Sequence, residues 1–96
     1  LAPDHLELLA TRAGILLSMG NRLEEAKDDY ARIVELAQPE SRRQATALLN
    51  LGRTCLKLND AEQAREYFQN ALEIDQNSGV FTADERSEIA KILDAS

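Results

Sequence analysis

Tryptophan is missing from these 96 residues, and two Tyr and two Phe are the whole aromatic supply. A core must therefore come from Leu, Ile, Val and Ala. Cys55 is the single cysteine, so no disulfide can close within the chain, which fits a reducing, cytoplasmic setting. His5 is the single histidine, which leaves no His-based triad or His-rich metal site. No catalytic residue, metal or cofactor is expected. β-branched residues are few and never alternate with polar ones, so strands are not expected. No window approaches the roughly 18 apolar residues of a membrane span. The opening residues lack the basic stretch and small-residue cleavage site of a secretory leader. A formal net charge of -6 argues against general nucleic-acid binding.

What is present is helical. Ala, Leu, Glu, Arg, Lys and Gln dominate, all good helix formers. Capping residues followed three places later by Glu or Gln occur five times: Asp4 with Glu7, Asn21 with Glu24, Ser41 with Gln44, Asn59 with Glu62, and Thr82 with Glu85. Each pair can satisfy two backbone N–H groups left open at a helix start. Gly20, Pro39, Leu58-Asn59-Asp60 and Asn77-Ser78-Gly79 supply the stops. These signals predict helices near 4–19, 22–37, 41–58, 60–75 and 82–95 in one domain spanning 1–96. The turns at Gly20-Asn21 and Asn59-Asp60 are short, so the helices on either side of each form antiparallel hairpins.

A shift of 38 residues lays the chain on itself. Gly14 falls on Gly52, Leu17 on Cys55, Asn21 on Asn59, Ala26 on Ala64, Tyr30 on Phe68, and Ile33 on Ala71. Tight hairpins need small residues where backbones approach, the part expected of Gly14, Gly52, Ala26 and Ala64. The aromatic one turn later, Tyr30 or Phe68, fills the wedge against neighbouring helices. A hairpin with one apolar face is not stable alone, so such units stack.

The second copy reads Leu48-x2-Leu51-Gly52-x2-Cys55, then Ala64-x3-Phe68 and Ala71. It resembles the tetratricopeptide repeat, W-x2-L-G-x2-Y followed by A-x3-F. The first copy is looser: Ala10-x2-Ala13-Gly14-x2-Leu17, then Ala26-x3-Tyr30, with Pro39 near the family's closing Pro. The Trp and the first-helix Tyr are absent, and Gln76 stands where the second Pro belongs. The period exceeds the family's 34 by one helical turn, placed between Ile33 and Ala45, like the longer-helix variants that serve regulatory scaffolds. The resemblance implies an all-α, right-handed superhelical stack of antiparallel hairpins with five helices: repeat one at about 4–38, repeat two at about 41–76, and a capping helix at about 82–95. In that cap Ile89, Ile92 and Leu93 should face the core, and Asp84, Arg86, Glu88 and Lys91 water.

The resemblance also implies a peptide-binding groove on the first helix of each repeat. That face maps onto Leu8, Thr11, Arg12, Ile15, Ser18 and Met19, then Thr46, Leu49, Asn50, Arg53, Leu56 and Lys57. Chaperone-binding members hold a peptide carboxylate with a Lys and Asn, a second Asn, and a Lys and Arg. Only the middle position matches here, as Asn50, with Thr11 and Ile15 in place of the first pair, so that clamp is not expected.

Charge adds a separate signal. Residues 41–59 carry Arg42, Arg43, Arg53 and Lys57 and no acid, and residues 8–23 carry Arg12 and Arg22 and no acid. The second helices are acidic. A groove favouring an acidic segment with apolar anchors follows. For Arg42 and Arg43, pairing with acids on neighbouring helices is the simpler reading; for Arg53 and Lys57, the groove. Glu24-Glu25 and Asp28-Asp29 read as solvated faces, without the glycine and ligand spacing of a calcium loop. Cys55 reads as a packing thiol, and Met19 as either a groove contact or a gap-filler. Two functions fit the pattern: an adaptor that binds a protein or peptide, and a segment that self-associates as a homodimer or regulates a larger protein from within.

Overall fold

Among the described residues, four hold left-handed backbone angles, one in each turn between helices: Gly20 (φ 76), Glu40 (φ 60), Asn59 (φ 63) and Gly79 (φ 62). The computed structural model describes the backbone of residues 3–94 and the side chains of 6–94. Its helices run in the order α1 (Pro3–Met19), α2 (Leu23–Leu36), α3 (Arg42–Lys57), α4 (Ala61–Ser78) and α5 (Ala83–Asp94). No strand occurs among the described residues, and none of these helices is long and apolar enough to cross a membrane.

Of the four expected capping pairs whose side chains are described, two form. Ser41 Oγ accepts the Gln44 N–H at 3.2 Å. Thr82 Oγ1 accepts the Glu85 N–H, and Glu85 Oε1 accepts the Thr82 N–H, which completes a capping box. Asn59 does not cap, for a reason visible in the preceding turn. Its N–H donates to the Leu56 carbonyl and that of Asp60 to the Cys55 carbonyl, the Schellman pattern that closes α3. This holds Asn59 in the left-handed region, so the cap passes to Asp60, whose Oδ1 accepts the Gln63 N–H at 3.1 Å. The same one-residue slip puts Arg22, not Asn21, at the start of α2, where no side chain caps the helix. Asp4 lies within α1 rather than ahead of it, and its side chain, like that of His5, lies outside the described residues. The fourth helix runs three residues past its expected end at 75, to Ser78, closed by Gly79.

The core is two clusters that share α3. Towards α4 and α5, Ala45, Leu48, Leu49 and Cys55 pack with Ala64, Phe68, Ala71, Ile74, Phe81 and Ile89. Towards α1 and α2, Ala47 and Leu51 pack with Ala13, Leu16, Ala26, Tyr30, Ile33 and Ala37. Burial on two sides suits a helix that closes one hairpin and receives the previous one, the stacking expected of repeats.

The two repeats are not packed alike. A methyl group at Gly52 would lie 2.8 Å from Phe68 Cε1, so that ring needs a residue without a side chain. A methyl at Gly14 would meet only the Tyr30 hydroxyl, at 4.0 Å. The close approach expected at both glycines exists at Gly52 alone.

Candidate functional site

Between α1 and α3 lies a cleft of about 400 Å³. Its floor is Tyr30 and Ile33 of α2, both buried. Its α3 wall repeats at helical spacing: Arg42 and Arg43, then Thr46 and Ala47, then Asn50. From α1 it takes Ala10. The 38-residue shift places Ala10 on Leu48, and both on the Trp of the repeat motif. Leu48 is buried in the same cluster as Phe68, whereas Ala10 is exposed beside the cleft. The missing Trp of the first repeat thus has a structural counterpart: a side chain too short to fill its hairpin.

The expected groove residues divide. Thr46 and Asn50 line the cleft. Leu49, expected there, is fully buried in the core beneath α5 and offers no surface. Leu8, Ile15 and Met19 are 70%, 57% and 53% exposed. At about 100° of rotation per residue they stand on the far side of α1 from Ala10, turned away from α3. Ala13 and Leu16 take the inner side against α2, and this rotation moves the expected face of α1 out of the groove. Met19 fills no gap. Thr11, Ser18 and Lys57 are exposed and line none of the cleft, and Leu56 packs partly against the core.

The basic groove is corrected more sharply. Arg12 forks onto Asp29 of α2, with both N···O distances 2.7 Å. Arg53 forks onto Glu88 of α5 at 2.8 and 2.7 Å and also donates to Asn50 Oδ1 at 3.0 Å. The Glu88 hydrogen bonds raise the guanidinium pKa of Arg53, and those of Arg53 lower the Glu88 carboxyl against the burial that would raise it. Arg22 is held by Glu25 within its own helix turn. The expectation is therefore inverted for Arg53 and Arg42, while Arg43 makes the expected pair with a neighbouring helix, though loosely. Arg53 is a structural tie. Arg43 reaches only exposed Glu7, at 3.5 Å, and Arg42 has no acidic partner among the described residues.

Four further residues carry ties that no local pattern announces. Asp29, taken with Asp28 as solvated, is buried under Arg12. Asp75 is buried and accepts the Phe81 N–H at 2.8 Å and a fork from Arg86 at 2.6 and 3.1 Å. These bonds, that of Arg86 first, hold its carboxyl below the ordinary value. Arg86, exposed as expected, and Glu88, half-buried, both fasten the last helix through these ion pairs. The Cys55 thiol is buried and its pKa raised by that burial, and it lies 3.8 Å from Gln63 Oε1.

Residues 4–77 match the family model described as tetratricopeptide repeat. The Homo sapiens and Mus musculus proteins named Protein O-mannosyl-transferase TMTC3 are each 31% identical over 78 residues. That stretch is 81% of this chain and 8% of each relative, so the chain spans under a tenth of their length. No solved structure matches it.

Proposed function

The chain belongs to the tetratricopeptide-repeat family, whose repeats generally mediate protein–protein interaction, and on that premise we propose that the cleft between α1 and α3 receives a segment of a partner protein. The observation that carries this reading is the cleft itself: an apolar floor of Tyr30 and Ile33, with Ala47 and the hydrogen-bonding groups of Thr46 and Asn50 along one wall. An apolar floor with a few convergent polar groups is the ordinary make-up of a binding site. A random peptide library displayed on phage, selected on the chain, supplies the ligand for amide chemical-shift mapping. The largest shifts should fall at Ala10, Thr46 and Asn50. Shifts confined to the outer faces of α2 and α4, or no peptide selected above background, would sink the proposal.

Within a longer protein the same surface would hold a protein segment for other domains. The two relatives are named for O-mannosyl transfer, and the matched stretch is a small part of each. We read the module as the holding part of such an arrangement, not the part that transfers a sugar. Self-association is the second reading, and it rests on the exposed stripe of Leu8, Ile15 and Met19. Light scattering decides it: a dimer that Ile15→Glu dissolves supports self-association, and a monomer at all concentrations removes it.

A further inference from the structure

We infer that the cleft is a socket for one bulky apolar side chain, of the Leu or Phe kind, on a partner segment that carries a carboxylate beside it. This deepens the groove reading and rests on it.

The size of the socket comes from the repeat. In the second hairpin, Leu48 occupies the position equivalent to Ala10 and is buried in the cluster that contains Phe68. In the first hairpin a methyl group stands there, and the space opens onto Tyr30 and Ile33. The chain's own second repeat therefore shows what kind of side chain this position accepts. A single large side chain seated in a desolvated recess is the usual anchor of a protein interface.

Charge fixes what lies next to the anchor. Among the described residues, two arginines and no acid line the cleft, in a protein whose net charge is -6. The other bases of α1 and α3 that lie near acids are forked tightly, Arg12 by Asp29 and Arg53 by Glu88. At the cleft, Arg42 has no acidic partner among the described residues and Arg43 has only the 3.5 Å approach of exposed Glu7. Two adjacent, weakly engaged guanidinium groups at the mouth of an apolar recess favour a segment with a carboxylate there.

Fluorescein-labelled nine-residue peptides test this by fluorescence polarisation on the 96-residue chain. Their central residue is Leu, Phe or Ala, and its neighbours are Glu, Lys or Ser. Leu and Phe centres flanked by Glu should bind best, and Ala at the centre or Lys beside it should each cost about tenfold or more in affinity. Ala10→Leu fills the socket with the second repeat's own residue; it should keep or raise the Tm while binding falls about tenfold or more. Arg42→Glu, checked for unchanged helical circular dichroism, should remove the preference for Glu over Lys. Equal binding of Leu- and Ala-centred peptides, or wild-type affinity in Ala10→Leu, overturns the socket. If such peptides still shift the Thr46 and Asn50 amides, the groove survives and only the socket is lost. If no peptide shifts those amides, both are lost.

Discussion

Phe68 lies so close over Gly52 that a methyl group on that glycine would sit 2.8 to 3.0 Å from three ring carbons, while a methyl at the matching Gly14 of the first repeat would lie 4.0 Å from the Tyr30 hydroxyl. The ring is fully buried and cannot move aside cheaply. Gly52→Ala should therefore lower stability by about 1–2 kcal/mol, the overpacking cost exceeding the gain in helix propensity. Gly14→Ala should raise it by up to about 1 kcal/mol, since only propensity changes. Urea unfolding of both variants checks the pair; shifts of the same sign would contradict the unequal packing of the two hairpins.

The 38-residue shift also pairs Arg22 with Asp60. Both stand at the start of a second helix with similar backbone angles, φ -130 and φ -109. Asp60 accepts the Gln63 N–H, whereas a guanidinium accepts nothing and adds positive charge where the helix dipole is already positive. Arg22→Asp should stabilise the chain by about 0.5–1 kcal/mol after loss of the exposed Glu25 pair, itself worth little. Thermal melts read the sign directly, and a lower midpoint would show that the Arg22–Glu25 contact outweighs the cap.

These two cases show what the sequence makes legible. Helices, hairpins and the repeat were readable because caps, stops and apolar spacing act within a few residues. Both cap positions lie one residue after the expected Asn: at Asn59 because Asn serves equally as a helix start and as a left-handed stop, which only the closed Schellman turn decides, and at Asn21 because Gly20 takes the left-handed position and α2 begins after Arg22. Of the site, Thr46 and Asn50 were legible and the α1 contribution was not. The rotation of α1 depends on Ala13 and Leu16 packing across to α2, which its weakly amphipathic sequence does not dictate. The ion pairs were hidden for another reason. Arg12 and Asp29 are 17 residues apart, and Arg53 and Glu88 are 35 apart, beyond any local pattern.

Acid should loosen the last helix before the rest. The hydrogen bonds from Arg86, and then from the Phe81 N–H, hold the folded pKa of Asp75 below its unfolded value. A group depressed on folding stabilises in full above the unfolded carboxyl range, about 4, and loses that contribution as the pH falls through the lower folded value. Glu88, lowered by Arg53, acts in the same direction on the same helix. Hydrogen exchange of α5 amides relative to α3 amides should therefore accelerate below about pH 4 in the wild type. Asp75→Asn should be less stable than wild type at pH 7, with the gap narrowing in acid. A gap independent of pH would show that the ionised carboxylate contributes nothing.

Arg53 decides between a binding and a structural reading of the basic residues on α3. Its fork onto Glu88 spans α3 and α5, and both side chains are about a third exposed, 35% and 37%. Screening by solvent keeps such a pair modest, about 0.5–1 kcal/mol of coupling, despite its two-bond geometry. Arg53→Glu should destabilise the chain, because it faces Glu88 with a like charge. Glu88→Arg alone should do the same against Arg53. The double exchange restores opposite charges and should recover most of the loss, which a double-mutant cycle in urea measures. Peptide affinity separates this from a groove role. The exchanged protein should bind acidic peptides as the wild type does, because the charge left facing the cleft belongs to Arg42 and Arg43. Loss of acidic-peptide binding in a double variant of normal stability would return Arg53 to the binding surface and make Glu88 its competitor for the ligand.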